Sequence, residues 1–205
     1  MHLPLPTLPR RFAVRAACHR ALLLLCLGVA GLAGAAGPLP SDSIYHLDLP
    51  LHDQDGRAFT LASGQGRPQL VSMFYTSCQF VCPRLIDTVR DVQRALPADS
   101  ARQLHVLLVT LDPARDDSAA LRGVAAQRHL DARTWTLARS DSAGTRALAA
   151  LLGVQYRILP SGDINHSTVL ILLDRQGRVV AQSTRLGVPD PAFVARVAST
   201  VAAAD

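Results

Sequence analysis

The sequence lacks lysine and glutamate altogether, so arginine and aspartate carry all of its permanent charge. We interpret this as a compositional bias of the source genome rather than as a functional feature. The sequence also lacks internal repeats and low-complexity linkers. About 170 residues follow the N-terminal segment described next, and that length fits a single domain with a sizeable hydrophobic core.

The N-terminal apolar run lacks the length of an ordinary membrane span. It extends from Ala21 to Ala36, which is shorter than the ~20 residues that a transmembrane helix needs. The arginines that precede it are Arg10, Arg11, Arg15 and Arg20. A basic segment, a short apolar run and the small residues Ala33-Gly34-Ala35 are typical of a secretory signal. We expect residues 1–35 to be a signal peptide cleaved near Ala35, with an uncleaved membrane anchor as the alternative.

Strong net charge is missing from the rest of the chain. The formal charge is +5 with histidines neutral, but four of the 21 arginines precede Ala36 and all 16 aspartates follow it. Residues 36–205 therefore carry 17 arginines against 16 aspartates, a net charge of +1. The basic character describes the N-terminal segment and gives no reason to expect a nucleic-acid partner.

Both interpretations of that segment, as a signal peptide or as an anchor, predict export to a bacterial periplasm. The protein would be either free there or anchored to the inner membrane.

The remaining sequence alternates short apolar runs, which predict strands, with amphipathic runs, which predict helices. The expected elements are a hairpin over 44–61, strands over 70–75, 104–111 and 134–138, helices over 84–96, 118–129 and 141–152, a hairpin formed by 168–173 and 178–183, and a closing helix over 191–203. This order predicts an α/β domain over residues 36–205. The expected fold is a thioredoxin-like three-layer sandwich with a mixed sheet and an N-terminal hairpin extension.

Cysteine is scarce, and its placement is informative. The four cysteines are Cys18, Cys26, Cys78 and Cys82. The last two lie in a C-x3-C spacing at a strand-to-helix junction, where two thiols indicate redox or soft-metal chemistry. The spacing differs from the C-x2-C of dithiol oxidoreductases. A structural disulfide and a pair of buried small hydrophobes are the alternatives, although so short a loop gains little stability from closure.

Pro83 places this cysteine pair at the beginning of a helix. Proline is accepted in a first turn and not in a helix interior, so we expect Cys82 near the helix N-terminus and Cys78 in the preceding turn. The helix dipole and the free N–H groups there favour a thiolate. Three intervening residues let both sulfurs point to one side, where they can hold one soft ion or close a disulfide. Cu(I) favours thiolates and accepts imidazole as a further ligand.

His166 is the best candidate for that further ligand. It lies just before the apolar strand Val169 to Leu173. In a thioredoxin-like sheet, the segment that enters this strand packs beside the helix N-terminus that carries the cysteines. A solvated side chain is the alternative, because histidines without a chemical role are common in this sequence: His46 and His52 belong to the entry hairpin, His105 to a strand edge and His129 to a helix end.

A third polar feature, Leu111 to Asp117, follows a buried strand at the edge of the sheet where open α/β folds place their sites. We expect Asp116 and Asp117 to cap the next helix. Three roles are open for Asp112: it could orient a ligand histidine, pair with Arg115, or face a partner protein.

Together these residues resemble the Sco/SenC family of copper-binding cytochrome oxidase assembly proteins. The matching segments are Phe74 to Pro83, Val109 to Asp116, His166-Ser167 and Asp174 to Arg178. The resemblance implies a thioredoxin-like fold and a site for one copper ion made of Cys78, Cys82 and His166. It also implies delivery of that copper to the CuA centre of a terminal oxidase.

The implied partners are the CuA-bearing subunit of the oxidase and a periplasmic thiol reductant or copper donor. Members of the family usually have a proline and an acidic residue between the two cysteines, where this chain has Gln79 and Phe80. The departure leaves the three metal ligands in place and changes the surface beside them.

Three other functions use the same residues. In a thiol:disulfide oxidoreductase, redox-active Cys78 would be the nucleophile, Cys82 would resolve the mixed disulfide, and His166 would need no metal. A catalytic zinc site of Cys2His type fits the ligand count, but no candidate general base lies next to the cysteines. A peroxidase of the same fold class is disfavoured because no P-x3-T-x2-C element precedes Cys78.

Overall fold

A computed structural model describes residues 38–203, so the expected signal peptide or anchor lies outside the described part of the chain. The strands are β1 (Pro50–Asp53), β2 (Ala58–Thr60), β3 (Gln69–Phe74), β4 (His105–Thr110), β5 (Trp135–Arg139), β6 (Tyr156–Ile158), β7 (Ile164–His166), β8 (Leu170–Leu173) and β9 (Val179–Ser183). The helices are α1 (Val81–Arg94), α2 (Ala98–Gln103), α3 (Ser118–Gln127), α4 (Ser142–Leu151) and α5 (Pro191–Ala202), with two 3₁₀ turns at Ile44–His46 and Leu61–Gly64. Within residues 38–203, no helix combines the length and the apolar character that crossing a membrane requires.

Seven strands form one mixed sheet in the order β2-β1-β5-β4-β3-β8-β9. Strands β3, β4 and β5 are parallel neighbours, while β8 runs antiparallel to β3 and β9 antiparallel to β8. The β1–β2 hairpin joins the opposite edge by antiparallel pairing of β1 with β5. The expected α/β fold with a mixed sheet and an N-terminal hairpin extension is confirmed.

The central strands are buried along their whole length, which explains why they appear in the sequence as mostly apolar runs without polar alternation. Every residue of β3, β4 and β8 is buried, as expected for strands covered on both faces of a sheet. Helix α5 buries Phe193, Val197 and Val201 at a spacing of four residues, which places them on one face. The core residues lie between Ile44 and Val201, so the compact unit from Pro38 onward contains a hydrophobic core of its own.

Three local differences from the sequence expectation have physical explanations. Helix α1 begins at Val81 rather than at Arg84, so Pro83 is its third residue; its missing N–H costs nothing there because the first-turn amides have no intrahelical acceptor. Helix α2 was not expected. It buries no residue, so its sequence contains no helical pattern of apolar residues that would predict it. The β6–β7 hairpin, a separate two-stranded sheet, was also missed because its strands have only three residues each.

His105 gives the fold a pH dependence. This residue of β4 is 8% exposed, its Nε2 lies 3.0 Å from the Thr136 hydroxyl, and its Nδ1 has no hydrogen-bond partner. Burial, assisted by the charge of Arg67, lowers the pKa of His105 to about 4. In the unfolded chain His105 therefore binds a proton below about pH 6.5, whereas in the folded chain it binds that proton only below about pH 4.

Stability should consequently fall as the pH drops from about 6.5 to about 4, by up to about 3 kcal/mol from this residue. Urea unfolding at several pH values measures the effect in wild type and in His105→Gln. The variant should show a shallower loss over that pH window. Equal pH slopes for the two proteins would rule out His105 as the source.

Candidate metal centre

Both cysteines lie where strand β3 passes into helix α1. Cys78 is half-buried in the turn between them, and Cys82 is buried in the first helical turn. The backbone N–H of Cys82 donates to the Cys78 sulfur at 3.3 Å. Both are free thiols, and they line a cavity of about 400 Å³ that opens to solvent. The structure therefore places the pair as expected from the proline.

The register of strand β8 brings His166 to the same place. Because β8 is antiparallel to β3, with Val71 opposite Ile171, the residues that precede β8 lie beside the residues that follow β3. The Ser72 hydroxyl fixes this segment by donating to the Val169 carbonyl at 2.6 Å. His166 ends strand β7, where a loop was expected.

The three candidate ligand atoms of Cys78, Cys82 and His166 lie within 4.8 Å of one another. An ion with metal–ligand bonds of about 2.0–2.3 Å needs trigonal ligands at about 4 Å separation, so small side-chain shifts complete a three-coordinate site. His166 Nδ1 lies 3.0 Å from the Ser167 carbonyl, which can only accept. Nδ1 therefore carries the proton, and the lone pair of the neutral ring lies on Nε2. Two thiolates and one imidazole suit a soft ion such as Cu(I).

The two thiols differ in their tendency to ionise. Burial opposes ionisation of Cys78, but hydrogen bonds from the Cys82 thiol and from backbone N–H groups at the helix start outweigh burial and lower the pKa of Cys78. Burial raises the pKa of Cys82, with smaller contributions from Cys78 and from the charge of Asp116. The more accessible sulfur is thus the better nucleophile.

Asp116 anchors the cysteine turn, a role that the sequence did not reveal. Its carboxylate accepts the Thr76 N–H at 2.9 Å and also accepts the hydroxyls of Thr76 and Thr110. Asp116 is 1% exposed. The expectation that it caps the next helix is wrong, because these three donors already occupy its oxygens. The same expectation for Asp117 is confirmed, since its side chain accepts the Ala120 N–H at the start of α3.

Asp112 takes one of the three roles left open for it by pairing with Arg115. The guanidinium of Arg115 also donates to the Gly162 carbonyl, in the turn between β6 and β7. Gly162 has a positive φ of 85°, and a Cβ there would lie 3.2 Å from the Arg115 guanidinium. The Asp112–Arg115 pair thus holds the hairpin that carries His166.

Tyr75 is a further residue of the site, with a role that the sequence did not reveal. Its ring meets the His166 ring edge-on, with centroids 5.7 Å apart. Burial and the neighbouring Cys78 raise the pKa of Tyr75, so the phenol stays neutral. The sequence signal for this network was the presence of Ser72 and Thr110 in two strands that are mostly apolar and wholly buried.

A thioredoxin-like domain with two cysteines and a histidine converging at the end of its central strand is a soft-metal or thiol-redox domain. The family model described as SCO1/SenC matches residues 41–202. The chain belongs to the SCO1/SenC family.

Two related proteins match this chain over shorter stretches than the family model does. A Stutzerimonas stutzeri relative that carries the name of a copper-binding protein is 34% identical over 74 residues, which are 36% of each chain. The SCO1 protein homolog of Bacillus subtilis is 28% identical over 83 residues, 40% of this chain and 42% of that relative. The alignments thus span about two fifths of these relatives' lengths.

Solved structures match over most of the chain. Copper-bound ScoI from Bradyrhizobium japonicum has a TM-score of 0.62 and 25% identity, covering 77% of this chain and 97% of that one. Copper-bound yeast Sco1 has a TM-score of 0.64 and 21% identity, covering 75% and 86% respectively. The second likeness is one of fold.

Proposed function

We propose that this protein is a periplasmic copper chaperone that delivers one copper ion to the CuA centre of a terminal cytochrome oxidase. The observation that carries the proposal is the convergence of Cys78, Cys82 and His166 within reach of one ion. Family membership and the copper-bound structure of Bradyrhizobium japonicum ScoI support copper as the ion.

The geometry suits a cargo that must be released. Cys78 and His166 are only half-buried, whereas Cys82 is buried, so an incoming thiolate can approach the ion from the exposed side. The copper passes on by ligand exchange, with Cys82 as the last ligand to leave. Copper binds only when both thiols are reduced. The protein would therefore need a periplasmic thiol reductant and a copper donor as partners.

Phe80 is the surface residue best placed to meet the recipient. It is 80% exposed and lies between the two cysteines in the sequence. An exposed aromatic side chain beside the site favours contact with a partner protein. We assign it to contact with the CuA-bearing subunit.

Export through residues 1–35, as a cleaved signal or an inner-membrane anchor, completes the proposal. N-terminal sequencing of the native protein tests it. An intact Met1 on a protein recovered from the cytosolic fraction would contradict it.

The copper stoichiometry of the fully reduced chain tests the metal site. Wild type should retain one copper per chain, and Cys78→Ser/Cys82→Ser should retain none because both thiolates are gone. Measured on the uncleaved full-length chain, Cys18→Ser/Cys26→Ser is the matched control and should retain one copper. Loss of copper in both variants, or no copper in reduced wild type, would refute the three-residue site.

A specific observation also favours a second activity, thiol:disulfide exchange. The accessible Cys78 has the lowered pKa and the buried Cys82 the raised one, which are the properties of an attacking and a resolving cysteine. The Cys78 thiolate would attack a partner disulfide and release one partner thiolate. Cys82 would then attack Cys78, releasing the second partner thiolate and leaving this protein oxidised by two electrons.

Single cysteine variants distinguish this exchange from copper transfer. Cys82→Ser should accumulate a mixed disulfide through Cys78, because no second thiol resolves it, whereas Cys78→Ser should accumulate none. Non-reducing electrophoresis of periplasmic extracts measures both. Failure of Cys82→Ser to trap any partner, with the protein folded, would count against the exchange activity.

A further inference from the structure

The cavity beside the two cysteines is lined by residues that copper binding does not use. Its volume is about 400 Å³, and it opens to solvent. The cysteine turn and the start of helix α1 line it together with Val124, Gln127 and Arg128 from the end of helix α3. His166 is not among the described residues that line it. The cysteines therefore border two different surroundings, the histidine of the metal site and this cleft.

Arg128 is the only charged residue among the described residues that line the cleft. Its backbone N–H donates to the Val124 carbonyl at 2.9 Å. The next residue, His129, has a φ of 48°, the left-handed conformation in which helices commonly end. Arg128 is half-buried and forms no ion pair with any residue in 38–203. Its guanidinium donors are therefore available to an anionic ligand.

The dimensions and lining of the cleft favour a small molecule over a protein. Small-ligand sites typically enclose about 300–1,000 Å³ and combine apolar walls with a few polar groups. This cleft falls within that range, and it combines the apolar Phe74, Ile86 and Val124 with polar side chains. Phe80, which we assigned to contact with a protein partner, is not among the described residues that line it.

The cysteines define the group that would react in the cleft. A disulfide between them must be reduced before copper can bind. Cys78 is half-buried and Cys82 is buried, so an external thiolate reaches the Cys78 sulfur first. Its attack forms a mixed disulfide on Cys78, breaks the bond to Cys82 and releases Cys82, which takes up a proton.

A second external thiolate completes the reduction. It attacks the external sulfur of the mixed disulfide, releases Cys78 as a thiolate and leaves as a disulfide of the two external molecules. Two external thiols thus lose the two electrons that the Cys78–Cys82 disulfide gains. The reaction needs no reactant besides a thiol.

We propose that this cleft binds the thiol reductant, and that the reductant is a small thiol with a carboxylate, which Arg128 holds while the thiol attacks Cys78. The inference rests on the proposed function, because it names the chemical class of the reductant that copper loading needs. Hydrogen bonds between a guanidinium and a carboxylate are charge-assisted and can be bidentate. Gln79 and Gln127 also line the cleft, and their amides offer donors and acceptors to the rest of the ligand.

Reduction of the oxidised domain by glutathione, a thiol with two carboxylates, tests the proposal. Residues 38–205 contain no cysteine besides Cys78 and Cys82, so alkylation at timed intervals followed by mass spectrometry measures the rate. Arg128→Gln should lower the rate constant for glutathione by about tenfold, the loss expected for one hydrogen bond to a charged group. With glutathione diethyl ester, which has no carboxylate, it should change the rate constant by less than about twofold. Equal losses with both thiols would show that Arg128 only supports the turn, and would overturn the proposal.

Arg84→Gln is the matched control because it makes the same charge change two residues from Cys82. Arg84 is exposed on α1 and is not among the described residues that line the cleft. Its guanidinium lies beside Gly187, where a Cβ would be 2.9 Å from it. This variant should keep the rate constant for glutathione within about twofold of wild type. Equal losses in the two variants would reduce the effect to net charge and overturn the proposal. Urea unfolding confirms that both are folded.

S-methylglutathione measures docking without the reaction, since it keeps both carboxylates but has no free thiol. It should slow the reduction of wild type by glutathione competitively and leave the rate for Arg128→Gln unchanged. Absence of inhibition in wild type would overturn the docking site.

Copper stoichiometry separates this proposal from the proposed function. Arg128→Gln should retain one copper per chain when reduced, and loss of copper would assign Arg128 to the metal site and overturn the proposal. Wild type that binds no copper but shows the arginine-dependent reaction with glutathione would refute the chaperone and leave the thiol cleft established. Wild type that binds copper but reacts without dependence on Arg128 would refute the cleft alone.

Discussion

His166→Ala is expected to lower the Cu(I) affinity of the reduced protein by at least about a hundredfold. Replacing even the outer-shell partners of metal ligands costs about 10–100-fold in affinity, and His166 is one of only three candidate ligands. The reduction potential of the Cys78–Cys82 couple should move by less than about 30 mV, a tenfold change in its equilibrium constant, because His166 does not take part in disulfide formation. The contrast between the two quantities separates a ligand from a residue that merely supports the turn.

Competition with a chromophoric Cu(I) chelator measures the affinity, and equilibration with glutathione measures the potential. His52→Ala is the matched control, since His52 is exposed on β1, and it should leave both quantities unchanged. Wild-type copper affinity in folded His166→Ala would exclude the three-ligand site. A large shift in the potential would instead assign His166 to the thiol chemistry.

Asp116→Ala should have the largest effect on stability, lowering the free energy of unfolding by about 3 kcal/mol or more. The substitution leaves the Thr76 N–H and the hydroxyls of Thr76 and Thr110 without their acceptor, and each unsatisfied buried donor costs about 1–3 kcal/mol. Asp116→Asn should cost much less, about 1 kcal/mol. Its amide oxygen can accept the Thr76 N–H, and a threonine hydroxyl can rotate to accept from its NH₂ group.

Urea unfolding of the apo protein measures these differences, and copper affinity gives a second readout because Thr76 is only two residues from Cys78. Asp117→Ala is the neighbouring control: it removes a helix cap, which costs about 1 kcal/mol, without touching the turn. If Asp116→Ala costs no more than Asp117→Ala, the network does not hold the turn.

The sequence was sufficient for the fold and for naming three candidate ligands that the structure brings together, because both inferences depend on short-range signals. Mostly apolar runs identified β3, β4 and β8, since strands covered on both faces need no polar alternation. Pro83 located the helix start to within a few residues, and the order of elements fixed which segment would lie beside it. Those inferences were enough to place Cys78, Cys82 and His166 at one end of the sheet.

What holds those ligands could only come from the tertiary structure. Asp116 and Asp117 are adjacent and chemically identical, yet one anchors the cysteine turn and the other caps a helix. Nothing local distinguishes them, because the choice depends on a threonine 40 residues away. The β6–β7 hairpin and its contact with Arg115 were hidden for the same reason.

The sequence by itself determined one thioredoxin-like domain and three candidate copper ligands, and it predicted export, because periodicity, breakers and spacing are local properties. The tertiary structure alone decided the buried network around the cysteines and the Asp112–Arg115 pair that holds the hairpin carrying His166. These depend on strand order and register, which set the neighbours of each side chain across distances that no sequence window spans.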